Sequence, residues 1–186
     1  FWVGEKACSA NPVHNKSSSW DMNWVKNFGG VDHPFKRTGL RPKYFHPKMN
    51  PFYVALPYND IAPKTNKHKS EASKVIWWYD QEVQNKYLSV CKGRWLAIKH
   101  GGKICYAQWE DCGPFLTNDW GYVFKGQRPK TSKNNSAGID LSPAIRDFLK
   151  LKSGEKVSWK FVEEAEIERG PWCKWMSESS FLTTNP

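Results

Sequence analysis

Three kinds of side chain in this 186-residue sequence can do chemistry: thiols, imidazoles and carboxyls. The five histidines stand at 14, 33, 46, 68 and 100 and form no i, i+4 pair, so neither a metal centre nor a Ser-His-Asp triad has support. The five cysteines (8, 91, 105, 112 and 173) contain no CxxC, and no ligand spacing suggests zinc. No cofactor is expected. That leaves the carboxyls. Asp60 follows a short apolar run, Asp111 follows the segment Lys103–Trp109, and Asp140 stands just before Ser142-Pro143. A carboxyl at a strand end can donate a proton to a leaving oxygen, which is what glycoside cleavage requires. An inverting hydrolase needs a second carboxylate about 6.5–9.5 Å away to activate water. A lytic transglycosylase needs only one proton-shuttling acid, because the sugar's own hydroxyl attacks. The bland alternative is that an Asp before a helix start bonds only to backbone N–H groups.

The elements that must position these groups can be read from pattern. Phe52–Pro57 reads as a strand closed by proline. The lysine-rich stretch 60–74 reads as a loop, and 73–84 as either a helix or a strand. Arg94–Lys99 and Lys103–Trp109 flank His100-Gly101-Gly102 and predict a hairpin whose paired residue numbers sum to 203. Cys91 and Cys112 share that sum, which predicts a disulfide between them. Cys8 and Cys173 are left to tie the chain ends together, and Cys105 reads as a buried thiol. Tyr122–Phe124 and Gly138–Leu141 read as short strands around a polar loop. Ser142 and Pro143 open a helix as N-cap and first residue, with Ile145, Phe148 and Leu149 as its apolar stripe and Gly154 as its end. Lys156–Val162 alternates as a last strand.

Residues 1–50 read as an irregular Trp-rich extension packed on the domain 51–163, with a tail over 164–186. One helix is expected at 19–28, capped by Ser19 and stopped by Gly29-Gly30. Short strands, Gly/Pro turns and one late helix make a small, mainly β barrel the expected architecture.

Composition narrows the partners. Net charge is +10, and nine of the Lys or Arg residues lie within 36–74 against only Asp60 and Glu71. Such a surface can attract nucleic acid, anionic lipid or an anionic polymer, or simply be a solvated face. A 15% aromatic content excludes a disordered chain, and no apolar run reaches the roughly 20 residues of a membrane helix. Nucleic-acid motifs are lacking, so no nucleic-acid partner is expected. The first residue, Phe1, reads as the start of a processed product.

Two segments together carry a family likeness. Trp109-Glu110-Asp111-Cys112-Gly113-Pro114-Phe115 resembles the Asp-x-Gly-Pro-Phe segment of rare lipoprotein A, and Gly138-Ile139-Asp140-Leu141-Ser142-Pro143-Ala144 resembles its Ile-Asp-Leu-Ser segment. Expansins and the barwin group carry a similar Phe-Asp-Leu-Ser element, and Val54–Asp60 is similar to the first strand of these proteins. The resemblance covers about residues 52–162 and implies a six-stranded double-psi β-barrel. Rare lipoprotein A and membrane-bound lytic transglycosylase A cleave peptidoglycan glycan strands; expansins loosen wall polymers without hydrolysis. By position, Asp140 matches the acid and Asp111 its partner, with Asp60 the third candidate. Trp120, Tyr122 and Tyr58 are candidate groove residues. The resemblance therefore implies a secreted or periplasmic monomer that acts on peptidoglycan or another anionic wall polysaccharide, either as a glycan-cleaving enzyme or as an expansin-like binding module. The sequence departs from the family in the 29-residue span from Asp111 to Asp140, in lacking the His after the first strand, and in its N-terminal extension.

Overall fold

A computed structural model describes residues 1–8, 13–83 and 85–176. The part of the expected tail beyond 176 lies outside the described residues.

The hairpin is the strongest local element, and it forms as expected. Trp95–His100 (β6) and Lys103–Cys112 (β7) pair antiparallel around Gly101-Gly102, and every opposed pair from Trp95↔Gln108 to His100↔Lys103 sums to 203. Tyr53–Leu56 (β3) lies parallel to β7 and antiparallel to the two-residue strand Asp140–Leu141 (β8). Ser158–Phe161 (β9) closes the other side, giving one sheet in the order β8-β3-β7-β6-β9. Two ribbons stand apart: Arg37–Thr38 (β1) with Arg41–Pro42 (β2), and Ile61–Ala62 (β4) with Lys67–His68 (β5). The second ribbon falls in the stretch expected to be a loop.

The helices are short: Trp24–Phe28 (α1), Ala72–Val75 (α2), Tyr79–Glu82 (α3), Trp120–Lys125 (α4), Lys133–Ser136 (α5) and Pro143–Leu149 (α6). Ser142 caps α6 with Pro143 at its start, but the helix ends at Leu149, where Lys150 takes the left-handed conformation, well before Gly154. The cap of α1 is Asn23, not Ser19, and Gly29 stops it as expected.

The expected six-stranded double-psi barrel is not formed. The architecture is mixed α/β around an open sheet, since β8 and β9 are its two edges and do not pair. The physical reason lies in Tyr122–Phe124, expected as a strand. Asp119 accepts from the Tyr122 N–H and Gly126 adopts the left-handed conformation, so the segment is capped at both ends as helix α4. A two-residue β8 also offers too short a rim to close a sheet.

The two faces of β3 do different work. Val54 and Leu56 enter the main core with Trp109, Leu96, Ile98 and Trp78. Tyr53 turns the other way into a second core with Val3, Trp24 and Phe28, all from the N-terminal extension. Its ring meets Trp24 and Phe28 edge-on at 5.4 and 5.8 Å. Its hydroxyl donates to Asp32 at 3.0 Å and accepts from the Val3 N–H at 2.9 Å. The extension thus packs over the face of the sheet that carries Tyr53 and Ala55.

All five cysteines are free thiols, so neither predicted disulfide is formed. The hairpin ladder stops at Trp95. Beyond it Arg94 N–H bonds to Cys91 O and Gly93 N–H to Trp109 O, a turn that takes Cys91 out of register with Cys112. Cys173 instead accepts from the Gly170 N–H at 3.2 Å, while Cys8 is exposed. Cys105 is buried as expected, and burial pushes its thiol up to about 12.

Candidate functional site

Ala55 is the reference point for the carboxyls. It pairs with Asp140 on one side and with Asp111 on the other. Directly opposed residues project to the same face, so two carboxyls flank one methyl across three adjacent strands. Two strand spacings set their Cα atoms about 10 Å apart. Gly113 completes the patch: a Cβ placed there would lie 4.0 Å from both Asp140 Oδ2 and the Ala55 methyl.

Asp111 reaches this face only because of a bulge. Val54 pairs with Trp109 and Ala55 with Asp111, leaving Glu110 as an extra residue in β7. In a regular strand Asp111 would share the core face of Trp109; the bulge re-aims it toward the extension. Glu110, the extra residue, lies within reach of the charges of both Asp111 and Asp21. It is buried, and its Oε2 has no hydrogen-bond partner. Burial, with Asp21 and Asp111 adding and Lys92 opposing, raises its carboxyl to about 7. Pattern alone missed Glu110, because a bulge has no composition signal here.

Asp140 is half-buried, and no hydrogen bond from a described residue holds its carboxyl. Burial raises it to about 6; the Phe1 ammonium opposes this, and the Glu5 and Asp111 carboxylates add to it. Asp111 is also raised by burial, against two backbone donors. Its Oδ1 accepts from Ser19 N–H at 2.7 Å and from Cys112 N–H at 2.8 Å. The expected cap residue of the first helix therefore serves the site instead. Trp20, next to it, donates its indole N–H to Asn59 at 2.9 Å and packs edge-on against Trp109.

Asp60 does not join this pair. It is fully buried, and accepts from the Ser89 hydroxyl at 2.6 Å and the Val90 N–H at 2.8 Å. Both its oxygens are used in fixing the 89–90 turn, a structural role. Tyr58 is also fully buried, with its ring edge-on to Phe124, and has no face to offer a sugar. Trp120 and Tyr122 are half-buried on α4; the Tyr122 hydroxyl accepts from the Trp159 indole at 3.0 Å. Only Asp140 and Asp111 of the expected catalytic set are brought together. Among the described residues no group of three or more His, Cys, Asp or Glu is arranged to hold a metal ion.

No protein-family model, curated protein or solved structure matches this chain. No helix among the described residues is long and apolar enough to cross a membrane.

Proposed function

We propose that this protein acts on a cell-wall polysaccharide and cleaves the glycan strands of peptidoglycan, with Asp140 as the proton donor. The observation that carries this reading is the Asp140–Ala55–Asp111 row: two carboxyls on one face, separated by nothing larger than a methyl. A carboxyl near 6 is well matched to general acid work close to neutral pH, because both of its forms are populated. In the transglycosylase reaction Asp140 protonates the leaving oxygen as the glycosidic bond breaks. Its carboxylate then takes the proton of the sugar hydroxyl that adds to the anomeric carbon, which restores the acid. Asp111, buried beneath the extension with Oδ1 held by two backbone N–H groups, acts through Asp140, whose protonated form its charge favours. A net charge of +10 suits a substrate rich in carboxylates, and the motif likeness to rare lipoprotein A points the same way and to an exported protein.

A second reading, a non-catalytic wall-binding module, is favoured by one observation: Asp111 is tied to Ser19 and Cys112 as a structural carboxylate would be. Incubation with peptidoglycan sacculi separates the two. Soluble anhydro- or reducing-end muropeptides that vanish in Asp140→Asn support the enzyme. Protein that sediments with sacculi but releases nothing, with or without the substitution, supports the module.

A further inference from the structure

The N-terminal extension carries a cleft unconnected with the carboxyl row. It holds about 400 Å³ and is lined by Val31, His33, Lys36, Lys43, Tyr44 and Phe45 among others. That volume lies within the range of small-ligand sites, about 300–1,000 Å³.

The sequence builds this cleft deliberately. Gly30 has φ +149°, and a Cβ there would come within 2.8 Å of the Phe45 ring, so the ring lies directly on bare backbone. Phe45 is anchored below by Phe28, edge-on at 6.0 Å. The walls are tied across by Lys43 N–H to Lys36 O at 2.9 Å and by the β1–β2 ribbon. Arg37 locks that ribbon to the body through Asp32 and, at 2.9 Å, Asp147. Arg146 of α6 donates to Pro34 O at 2.8 Å and lies over Phe35, so the loop is fastened to the helix that follows Asp140.

Against this fixed frame, two aromatic side chains stand out into solvent: Tyr44 is 75% and Phe35 85% exposed. Between Asp32 and Asp60 the chain has five Lys or Arg and no acid. Arg37 is consumed by its carboxylates, whereas Lys36 and Lys43 make no ion pair with a described residue; Lys43 instead lies 5.8 Å from the centre of the Tyr44 ring. The cleft therefore offers an aromatic face, a mostly apolar lining and two free ammonium groups at its rim.

We propose that this cleft binds a carboxylate-bearing sugar unit of an anionic polysaccharide. The C–H face of a pyranose ring carries partial positive charge and packs on the negative face of Tyr44. The sugar carboxylate pairs with Lys36 or Lys43, and ring hydroxyls find His33. A nucleic-acid strand would need a stripe of cations following its phosphates, and two cations beside an open cleft do not form one. A lipid surface would engage the protruding Phe35 ring, which is not part of the cleft lining, and would leave the cleft itself empty. The assignment rests for its substrate class on the function proposed above, and binding can be read without cleavage.

The test is calorimetric titration of the full Asp140→Asn chain with tetragalacturonate, with cellotetraose as the neutral comparison, and with an eight-residue oligothymidylate and phosphatidylglycerol vesicles as rivals. The wild-type chain serves equally should that variant not fold. Tetragalacturonate is expected to bind at least tenfold more tightly than cellotetraose. Tyr44→Ala and the double change Lys36→Ala/Lys43→Ala are each expected to weaken it at least threefold, and the double change to flatten its salt dependence. These residues are not core side chains, and circular dichroism confirms that each variant is folded. No binding, a smaller loss in either variant, or tighter binding of the oligonucleotide or vesicles through the same residues overturns the assignment. A wild-type chain that binds tetragalacturonate but releases nothing from sacculi would refute the proposed activity alone.

Discussion

Replacing Asp140 by Asn should stabilise the protein, and the gain should depend on pH. The carboxyl is moved by burial from its ordinary 3.8 to about 6 in the folded chain. A raised folded value means that folding favours the protonated form. Below pH 3.8 both states are protonated and no penalty exists. Between about 4 and 6 the unfolded chain ionises first and stability falls. Above 6 the penalty is complete. At about 1.4 kcal/mol for each pH unit between the two values, it reaches about 3 kcal/mol. Asparagine removes the ionisation and breaks no hydrogen bond to a described residue. Urea unfolding of wild type and Asp140→Asn at pH 4, 5.5 and 7.5 should give a difference near zero at the lowest pH and about 2–3 kcal/mol in favour of the variant at the highest. Thermal midpoints should separate by about 4–12 °C at pH 7.5, given the usual 2–4 °C per kcal/mol for a chain of this size. A variant that is less stable at pH 7.5, or a difference that does not change with pH, would refute the account of Asp140 as a carboxyl held in an unfavourable site. A stabilised variant that also loses cleavage would mark the position as one kept for function at the expense of stability.

Asp60→Ala should destabilise by about 3 kcal/mol or more, since it orphans the Ser89 hydroxyl and the Val90 N–H in a buried place; denaturant unfolding measures this, and loss under 1 kcal/mol would contradict the structural role. Ser142→Ala removes the α6 cap and the bond to Pro51 O at 2.7 Å, with an expected cost of about 2 kcal/mol by the same measurement. Brief alkylation of the native protein should label Cys8 while sparing Cys91 and Cys105, which mass spectrometry of peptides reads directly. Ser19→Pro deletes a donor to Asp111, so the Asp111 carboxyl should titrate at higher pH than in wild type, followed by carbon-13 NMR.

What the sequence disclosed, it disclosed through local chemistry. The Gly101-Gly102 turn and its flanking alternation fix the register of β6 and β7 residue by residue, and Ser142-Pro143 marks a helix start without outside help. The placement of Asp111 and Asp140 at the ends of their segments was equally legible. Non-local facts were not. Whether Tyr122–Phe124 pairs as a strand depends on Asp119 and Gly126 capping it, and Tyr-Val-Phe fits either state. The disulfide between Cys91 and Cys112 follows from extending a ladder by arithmetic, but Gly93 turns the chain first. The bulge at Glu110 is set by the pairing of β7 with β3, whose Val54 and Ala55 pair with Trp109 and Asp111, far apart in the chain, so Glu110 could not be found by periodicity. The inward packing of Trp24 and Phe28 beneath Tyr53 was legible from their i, i+4 spacing, whereas nothing in the pattern marked Phe35 and Tyr44 as pointing out.

The extension has a further consequence for how such a molecule can diversify. The neighbours that set the environment of both carboxyls, Glu5 for Asp140 and Ser19 for Asp111, belong to the first 21 residues, whereas the carboxyls themselves are rooted in the sheet. Scaffold and wall are therefore separate stretches of one chain. Insertions or exchanges in the leading segment can reshape what is admitted to the Asp140–Ala55–Asp111 row and leave the strand register intact. Under the proposed function, exchange of that segment is then a route to new specificity that does not require the core to be solved again.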